Sequence, residues 1–358
     1  MAHNHQTETP WSASLLRRDL NARAQYLAIA GNLLHEQTTG SEPSIIFGHE
    51  KLAEQDRHGN FHPASYAAIC ANPAWSHRLT KVHTAHRRVR ARADWQWMEL
   101  DCANSSDALL MNLFCHPLVF SDGHINTAVA NLLGVPSNAL PNFGIHPGVP
   151  LKKPRSRNRK KTTRSIAQPD TASLFNEAVI PETPQPDESN LKDRTEIDLQ
   201  LDSLFVEAKL TESNFQAAGP RLIERYRDLE TIFDVERLPS KIITPAATHP
   251  ATEDFSDLEE PPSNPTAPSP IAKSSRTIIQ GYQLIRNVLA AFASDASFCV
   301  LCDARRHDLI ETWYAILSAV HYHSFAWRLK LLTWQELAAV LPEDLQSFLE
   351  TKYGIIPA

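Results

Sequence analysis

Residues 195–209, TEIDLQLDSLFVEAK, alternate apolar and polar side chains on either side of Asp202-Ser203. This alternation predicts two antiparallel strands joined by a two-residue turn, because successive side chains of a strand point to opposite faces. With Asp202 and Ser203 in the turn, Asp198 lies directly across the ladder from Glu207. The stretch therefore predicts a hairpin that gathers acids on one face.

The two faces of this hairpin differ in chemistry. The apolar face is expected to pack against the core; its members are Ile197, Leu199, Leu201, Leu204, Val206, Ala208 and Leu210. The other face carries Glu196, Asp198, Gln200, Phe205, Glu207 and Lys209. On this face Glu196 lies opposite Lys209, so Glu196 is either the ion-pair partner of that lysine or a further member of a site. Asp198 and Glu207 repel each other unless a positive charge compensates.

A divalent cation would supply that charge. Mg²⁺ prefers oxygen ligands, commonly one or two carboxylates with water and a substrate phosphate. The carboxylates of Asp198 and Glu207 and the carbonyl of Ala208 form such a partial ligand set. Lys209 follows on the same face, where its ammonium can orient or help deprotonate a water and stabilise charge on a phosphoryl oxygen. The hairpin thus predicts a Mg²⁺ or Mn²⁺ site, with a solvated charged face as the structural alternative.

Elements around the hairpin follow from hydrophobic periodicity. Helices are predicted at 12–37, 65–71, 104–114, 277–293 and 306–320, with one or two more within 334–353, and strands at 298–303 and 328–332. From residue 104 onward the order is helix, hairpin, helix, strand, helix, strand, helix. This order is typical of an α/β domain with a mixed sheet flanked by helices.

Composition divides the chain further. Two tracts, at about 152–192 and 246–272, are rich in polar residues or proline and have too few apolar residues to bury themselves. We interpret them as low-complexity inserts. Residues 1–94 are expected to form a mainly helical N-terminal extension, and residues 95–358 the domain that contains the hairpin.

Charge and cysteine content limit the class of protein. The chain has 358 residues, a formal net charge of -6 and five scattered cysteines. A negative chain has no general affinity for nucleic acid, so any such affinity must be local. No apolar run reaches the about 18 residues of a membrane span, and no signal-peptide core is visible near the N-terminus. With an odd number of cysteines, these features predict a cytoplasmic protein with no membrane association.

Three basic groups are candidates for local nucleic-acid affinity. Residues 83–92, HTAHRRVRAR, and residues 152–164 can each contact a phosphate backbone without reading bases. Basic residues that follow the strand at 298–303 can clamp a phosphate. The individual candidates are Arg87, Arg88, Arg305 and Arg306. Surface solubility accounts for all three groups equally well.

The spacing from Asp198 to Glu207-Ala208-Lys209 resembles the D…ExK signature of the PD-(D/E)xK nuclease superfamily. The segments TEID, VEAKLTE, YQLIRNVLAA, DARR and TWQEL are also similar to a bacterial group described as restriction endonucleases. The resemblance covers mainly residues 99–353. It implies a restriction-endonuclease-like core and a metal-dependent DNA endonuclease of restriction or defence. It makes Asp198 and Glu207 metal ligands and Lys209 the catalytic lysine, although Ile197 stands in place of the signature's proline.

The resemblance also implies further site residues. In many members of the superfamily an acid from the first helix completes the metal site, and Asp107 and Glu99 are both candidates. Polar residues of the helix after the hairpin approach the metal or the DNA in related nucleases. Gln283 and Arg286 are the candidates here, and a solvated helix face is the alternative.

Two other readings of the function stay open. A non-catalytic DNA-binding or assembly module on the same fold would bind DNA without metal, and a nuclease of RNA or of repair intermediates would use the same chemistry. A homodimer and a partner protein of a defence system are both compatible with the sequence. His58 and His62 have the H-x3-H spacing of zinc ligands, but they lie in a predicted loop without cysteine partners, so we expect no zinc there.

Overall fold

The computed structural model describes residues 11–39, 42–53, 56–82, 97–153, 192–243, 275–321 and 323–358. Nearly all of the two inserts predicted from composition lies outside these residues. Arg87, Arg88 and the expected domain boundary between residues 94 and 95 lie outside them as well.

Helices and strands alternate along the described residues. The helices are α1 (Ala13–Ala30), α2 (Pro63–Ala71), α3 (Pro73–Ser76), α4 (Ser106–Phe114), α5 (Thr127–Leu133), α6 (Pro220–Ile223), α7 (Leu229–Ile232), α8 (Tyr282–Ala293), α9 (His307–Ser318), α10 (His323–Ala326), α11 (Trp334–Ala338) and α12 (Glu343–Tyr353). The strands are β1 (His35–Gln37), β2 (Ile45–Phe47), β3 (His49–Glu50), β4 (Arg57–His58), β5 (Phe120–Ser121), β6 (His124–Ile125), β7 (Pro141–Ile145), β8 (Gly148–Pro150), β9 (Lys192–Arg194), β10 (Ile197–Leu201), β11 (Leu204–Ala208), β12 (Ala217–Ala218), β13 (Ser240–Ile243), β14 (Arg276–Gln280), β15 (Ser297–Cys302) and β16 (Leu329–Thr333).

A five-stranded sheet, in the order β16-β15-β11-β10-β7, forms the centre of the fold. β11, β15 and β16 run parallel, while β10 pairs antiparallel with both β11 and β7. The predicted mixed sheet flanked by helices is therefore confirmed. In the described part of the chain, no helix is long and apolar enough to cross a lipid bilayer.

The hairpin of β10 and β11 has the predicted register. Leu201 pairs with Leu204 and Leu199 with Val206. Asp202 in the turn has φ 52°, a left-handed conformation that Asp adopts more readily than most residues. The turn chemistry and the apolar alternation thus agree on one register.

Both faces of the hairpin are partly apolar, which differs from the prediction. Leu199, Leu204 and Val206 pack into one buried cluster with residues of α1, α4, α5, α11 and α12. Phe205 and Ile197 belong to a second cluster with residues of α8 and α9. All of β11 is buried because it is the central strand of a sheet that helices cover on both sides. Apart from Asp202 in the turn, the charged residues lie at the end of the hairpin away from the turn.

The helix predicted at 12–37 is shorter. It ends at Ala30, Gly31 is its C-cap, and Asn32 has φ 45°. Residues 35–37 form β1, which pairs with β2. Leu16 and Leu20 of α1 are buried in the first cluster beside the sheet, so this helix is part of the main core.

The helix predicted at 277–293 begins later than expected. Residues 277–280 belong to β14, which pairs with β12 and β13, and α8 starts at Tyr282. Gly281 between them has φ 72°, a conformation that favours glycine and that ends the strand before the helix. The strands β15 and β16 and the helices α9, α11 and α12 lie where the sequence predicts them, to within two residues.

Candidate active site

A cavity of about 510 Å³ opens where β11 ends. Its walls come from the β10–β11 hairpin, the start of α4, the start of α8 and the N-terminal segment. The carboxylates that line it are Glu99, Asp107, Glu196, Asp198, Glu207 and Glu212, and the cations are Arg17, Lys81, Lys209 and Arg286. The hairpin thus delivers its charged residues to one solvent-connected space.

Asp198 lies on β10 and contacts the neighbouring strand. Its Oδ2 accepts a hydrogen bond of 2.8 Å from the amide of Ala208, which is the peptide that follows Glu207. This contact brings Asp198 beside Glu207, as the pairing arithmetic predicts. Burial, reinforced by the charges of Glu207 and Asp107, raises the pKa of Asp198 well above its ordinary value.

Glu207 is fully buried and hydrogen-bonded at both carboxylate oxygens. Its Oε1 accepts from Gln283 Nε2 at 2.5 Å and from Lys209 Nζ at 2.9 Å, and its Oε2 accepts from Asn287 Nδ2 at 2.7 Å. Thr195 Oγ1 donates to Asn287 Oδ1 at 2.7 Å and so fixes the orientation of that amide. Burial raises the pKa of Glu207, and Lys209 offsets part of this rise.

Lys209 is buried within the cavity wall, with 9% of its side chain exposed. Burial opposes its charge, yet the carboxylates of Glu207, Glu212 and Asp198 together raise the pKa of Lys209 above its ordinary value. The side chain is therefore an ammonium at neutral pH. In this form it can orient a water and stabilise negative charge on a phosphoryl oxygen.

Glu196 faces the other wall of the cavity, so the expected ion pair between Glu196 and Lys209 is wrong. Its Oε1 accepts from Arg78 Nη1 at 2.9 Å and from Lys81 Nζ at 2.8 Å. The reason is that β10 begins at Ile197, which leaves Glu196 outside the regular ladder. A Cβ at Gly144 on the adjacent β7 would overlap the Arg78 guanidinium, so glycine makes room for this contact.

Asp107 and Glu99 both reach the cavity, but their surroundings differ. Asp107, in the first turn of α4, forms an ion pair with Arg78, and burial raises the pKa of Asp107 to about 6. Its charge is also one of those that raise the pKa of Asp198. Glu99 forms an ion pair of 2.8 Å with Lys81. The electrostatic coupling to Asp198 makes Asp107 the better candidate for a third carboxylate.

Gln283 and Arg286 of α8 both line the cavity, as expected. Gln283 contacts Glu207 directly. Arg286 places its guanidinium 5.2 Å from the ring centre of Tyr282, and its Nε has no hydrogen-bond partner among the residues that the structure describes. Arg286 is therefore available for an anionic ligand in the cavity.

The two arginines after β15 have internal partners. Arg305 forms a two-pronged ion pair with Asp303, at 2.8 and 2.6 Å. Arg306 is fully buried, and it donates to the carbonyls of Leu210 at 3.2 Å and Glu212 at 2.8 Å. The expectation that Arg306 clamps a phosphate is thus wrong; burial makes it a support for the loop that follows β11.

A sequence profile described as "Restriction Endonuclease associating with ARP" matches residues 32–354, which include the whole hairpin and all of α4 and α8. The chain belongs to this family. Comparison of the chain with curated proteins and with solved structures found no match. Membership supports a restriction-endonuclease-like, nuclease-related role.

Several cavity residues of this REase-ARP family member escape sequence reasoning. Glu212 accepts from Ser106 Oγ at 2.7 Å and from the amide of Leu210 at 2.6 Å. Its position three residues after Lys209 is a local signal that could have identified it. Arg78 and Lys81 lie 118 and 115 residues before Glu196, so no spacing in the sequence points to them.

The donor set suits a hard divalent cation. The carboxylates of Asp107, Asp198 and Glu207 line the same cavity as Ala208, and oxygen atoms are the ligands that Mg²⁺ and Mn²⁺ prefer. Burial raises the pKa values of all three acids, and the charges of Glu207 and Asp107 add to the rise at Asp198; a cation would offset both effects. The residues of this REase-ARP member therefore fit the metal that the hairpin predicts.

Proposed function

We propose that the protein is a cytoplasmic, metal-dependent DNA endonuclease of restriction or defence with a PD-(D/E)xK-type site. One observation carries this proposal: a single cavity gathers Asp198, Glu207 and Lys209 of the hairpin with Asp107 of α4. Carboxylates that can hold a metal ion beside a lysine support metal-assisted hydrolysis of a phosphodiester.

Asp198, Glu207 and the carbonyl of Ala208, with Asp107, would hold Mg²⁺ or Mn²⁺. When bound, such a cation activates water and polarises a phosphoryl oxygen. Hydrogen bonds within the chain fix the orientation of two of these carboxylates. Gln283 and Asn287 orient the Glu207 carboxylate, and the Ala208 amide orients that of Asp198.

Lys209 has a separate role in this proposal. Because its pKa is raised, its ammonium supplies a fixed positive charge next to the reacting phosphate. Such preorganised charge stabilises the transition state more than the ground state, since negative charge on the phosphoryl oxygens is rearranged during attack.

Substrate attraction would come from the cationic wall of the cavity. Arg17 and Lys81 have about a third of their side chains exposed, 34% and 35%, and Arg286 has an unpartnered Nε. These side chains offer phosphate contacts that are independent of base sequence. Six carboxylates line the cavity against four cations, so a bound divalent cation would be needed to balance this charge before DNA approaches.

The test is cleavage of supercoiled plasmid by the purified protein in Mg²⁺ or Mn²⁺, with EDTA as a control. Lys209→Met should lower the nicking rate by about 100-fold or more, the typical effect of removing one preorganised charge donor. Lys330→Met is the matched control, because Lys330 donates to the Leu133 carbonyl at 2.8 Å and does not line the cavity. Nicking that persists in EDTA, or at full rate in Lys209→Met, would contradict the proposal.

One observation favours the non-catalytic alternative. Both oxygens of Glu207 are already satisfied within the protein, and Asp107 is paired with Arg78. A DNA-binding or assembly module would keep these contacts and would bind DNA equally well in EDTA. Measuring binding to DNA and to RNA of the same length, with and without Mg²⁺, separates this reading from nucleases of either substrate.

The family's description names an association with ARP. We extend that association to this chain as part of the proposal, alongside a homodimer as the second candidate assembly. Light scattering of the protein alone and with that partner distinguishes the two.

A further inference from the structure

Three ligand-type side chains converge away from the candidate active site, and none of them lines its cavity. His62 is the N-cap of α2, His116 follows α4, and Asp344 lies in the first turn of α12. One ligand atom from each lies within 4.8 Å of the other two. Residues this far apart in the chain meet only through the fold.

The distances within this cluster approach those of a metal site. His116 Nε2 is 3.3 Å from Asp344 Oδ2, and the ring centres of His62 and His116 are 4.8 Å apart. Metal–ligand bonds of about 2.0–2.2 Å in a tetrahedron place the ligand atoms roughly 3.3–3.6 Å from one another. One pair already has this separation, and the other two pairs of ligand atoms lie within 4.8 Å.

The electrostatic setting also favours a cation. Burial lowers the pKa of both histidines, against the pull of Asp344, so the rings are neutral and able to ligate. His116 is 1% exposed, and its Nε2 has no hydrogen-bond partner of good geometry among the described residues. A buried nitrogen that points at a carboxylate without bonding to it is rare and calls for a further partner.

We propose that His62, His116 and Asp344 form a binding site for a divalent transition metal. Two imidazoles and one carboxylate suit Zn²⁺ best, with the fourth position open to water on the side where Asp344 is 46% exposed. The ion would tie together α2, the turn after α4 and α12. This position is separate from the oxygen-rich site of the cavity, and the ion would be expected to stabilise the junction of these three segments.

The Nδ1 atoms of His62 and His116 can take up the ring protons that metal binding displaces from Nε2. Nδ1 of His62 and of His116 each accept a long hydrogen bond of 3.3 Å from the amide two residues ahead, at Ala64 and Leu118. Ligation through Nε2 moves each ring proton from Nε2 to Nδ1. Two long hydrogen bonds are given up for two metal–nitrogen bonds, and a neutral ring loses no proton to solvent.

The H-x3-H pair of the sequence is not the site. His58 Nε2 contacts Asp101 Oδ1 at 3.1 Å, in a separate buried pair. His62 instead lies beside His116 and Asp344, which are 54 and 282 positions further along the chain (116 − 62 and 344 − 62).

The test is titration of metal-free, full-length protein with Zn²⁺ by calorimetry, together with Co²⁺ absorption and thermal unfolding. We expect tight Zn²⁺ binding and a higher melting temperature, with affinity at least tenfold weaker in His62→Gln and Asp344→Asn. His124→Gln, an exposed histidine outside the cluster, should bind as the wild type does.

Two results would overturn the proposal. The first is a wild-type protein that takes up no Zn²⁺. The second is unchanged stoichiometry, affinity and thermal shift in both His62→Gln and Asp344→Asn. Loss of binding in Asp198→Asn, with wild-type binding in both His62→Gln and Asp344→Asn, would place the ion in the cavity and is an instance of the second result.

Discussion

Asn287 of α8 donates a hydrogen bond to Glu207 of β11, the most buried acid of the candidate site. Its amide donates to Glu207 and accepts from Thr195, and all three residues have no exposed surface. Asn287→Ala leaves Glu207 Oε2 buried without this partner, and it leaves the Thr195 hydroxyl with only a long bond of 3.4 Å to the Glu196 carbonyl. We expect the free energy of unfolding to fall by about 1–3 kcal/mol, measured by urea denaturation.

Gln283→Ala is the matched comparison for that change. Gln283 is half-buried, and Glu207 Oε1 keeps its bond to Lys209 when the amide is removed. The stability loss should therefore be smaller than for Asn287→Ala. Equal stability losses in the two variants would show that the loss does not depend on whether a buried carboxylate oxygen is left without a partner.

Lys352 gives a second prediction at this scale. It is 2% exposed, its Nζ donates to the Gly59 carbonyl at 3.1 Å, and burial lowers its pKa from 10.5 to about 7. The unfolded chain therefore binds one more proton than the folded chain between these values, so stability rises with pH across that window. Below pH 7 both states are charged, and the full cost of the buried charge remains.

Replacing Lys352 by Met should stabilise the protein most near pH 6 and progressively less towards pH 10. The upper bound is on the order of 5 kcal/mol, less the lost hydrogen bond to Gly59. Thermal unfolding of both proteins from pH 6 to pH 10 measures the difference. A difference that does not change with pH would contradict the assignment of a buried, weakly basic lysine.

Contacts between site residues were predictable where both residues lie in the same hairpin. The parity of the hairpin places Asp198 beside Glu207, and the bond to the Ala208 amide agrees with it. Glu196 was mispaired, because parity holds only inside the ladder and β10 begins one residue later. Arg78 approaches from a distant segment, which spacing in the sequence cannot reveal.

At the scale of the element, α8 depends on the glycine before it. Gly281 has φ 72°, and a Cβ there would lie 3.0 Å from two carbons of Ile316. Gly281→Ala should lower the free energy of unfolding by more than the about 1–2 kcal/mol of left-handed strain alone. Because α8 carries Gln283 and Asn287, we also expect slower cleavage.

Gly123→Ala isolates the contribution of the backbone. Gly123 has φ 76°, and an added Cβ would meet nothing within 4 Å. This variant should show the strain without the contact with Ile316 and should leave cleavage unchanged. Equal destabilisation of the two variants in urea would exclude packing against α9 as a cause.

Element boundaries were the weakest part of the sequence prediction, for a physical reason. Residues 277–280 include the β-branched Thr277, Ile278 and Ile279, yet they also fit the apolar stripe of the following helix. The strand forms because β12 and β13 provide ladder partners, which are not visible in a local window. β7, with Pro141 and Gly144, carried too weak a strand signal to be predicted.

At the scale of the whole molecule, the order of elements was enough to predict the mixed sheet. Short connections and buried strands such as β15 restrict the ways in which helices and strands can pack. The place of α1 was not predictable, because an amphipathic helix does not specify its partner. Leu16 and Leu20 pack beside the hairpin's apolar face, so the N-terminal segment helps to build the fold that holds the site.

The candidate site should reduce the stability of the metal-free protein. Burial and the charges of Glu207 and Asp107 raise the pKa of Asp198 above 3.8, so the folded chain holds this proton more tightly than the unfolded chain. The free energy of unfolding therefore falls with rising pH, from about pH 4, where Asp198 ionises in the unfolded chain, to its raised pKa in the folded chain. Asp198→Asn removes this charge and keeps an acceptor for the Ala208 amide, so it should be the more stable protein in EDTA at neutral pH.

A bound cation should reverse that order. Mg²⁺ at about 100 times its dissociation constant would stabilise the wild type by about 2.7 kcal/mol, and Asp198→Asn should gain much less because it lacks a ligand charge. Thermal unfolding of both proteins in EDTA and in Mg²⁺ gives four melting temperatures, from which the shift caused by Mg²⁺ follows for each protein. Equal shifts on adding Mg²⁺ would mean that Asp198 does not hold the ion, whereas a shift confined to the wild type would tie the instability of the empty site to its function.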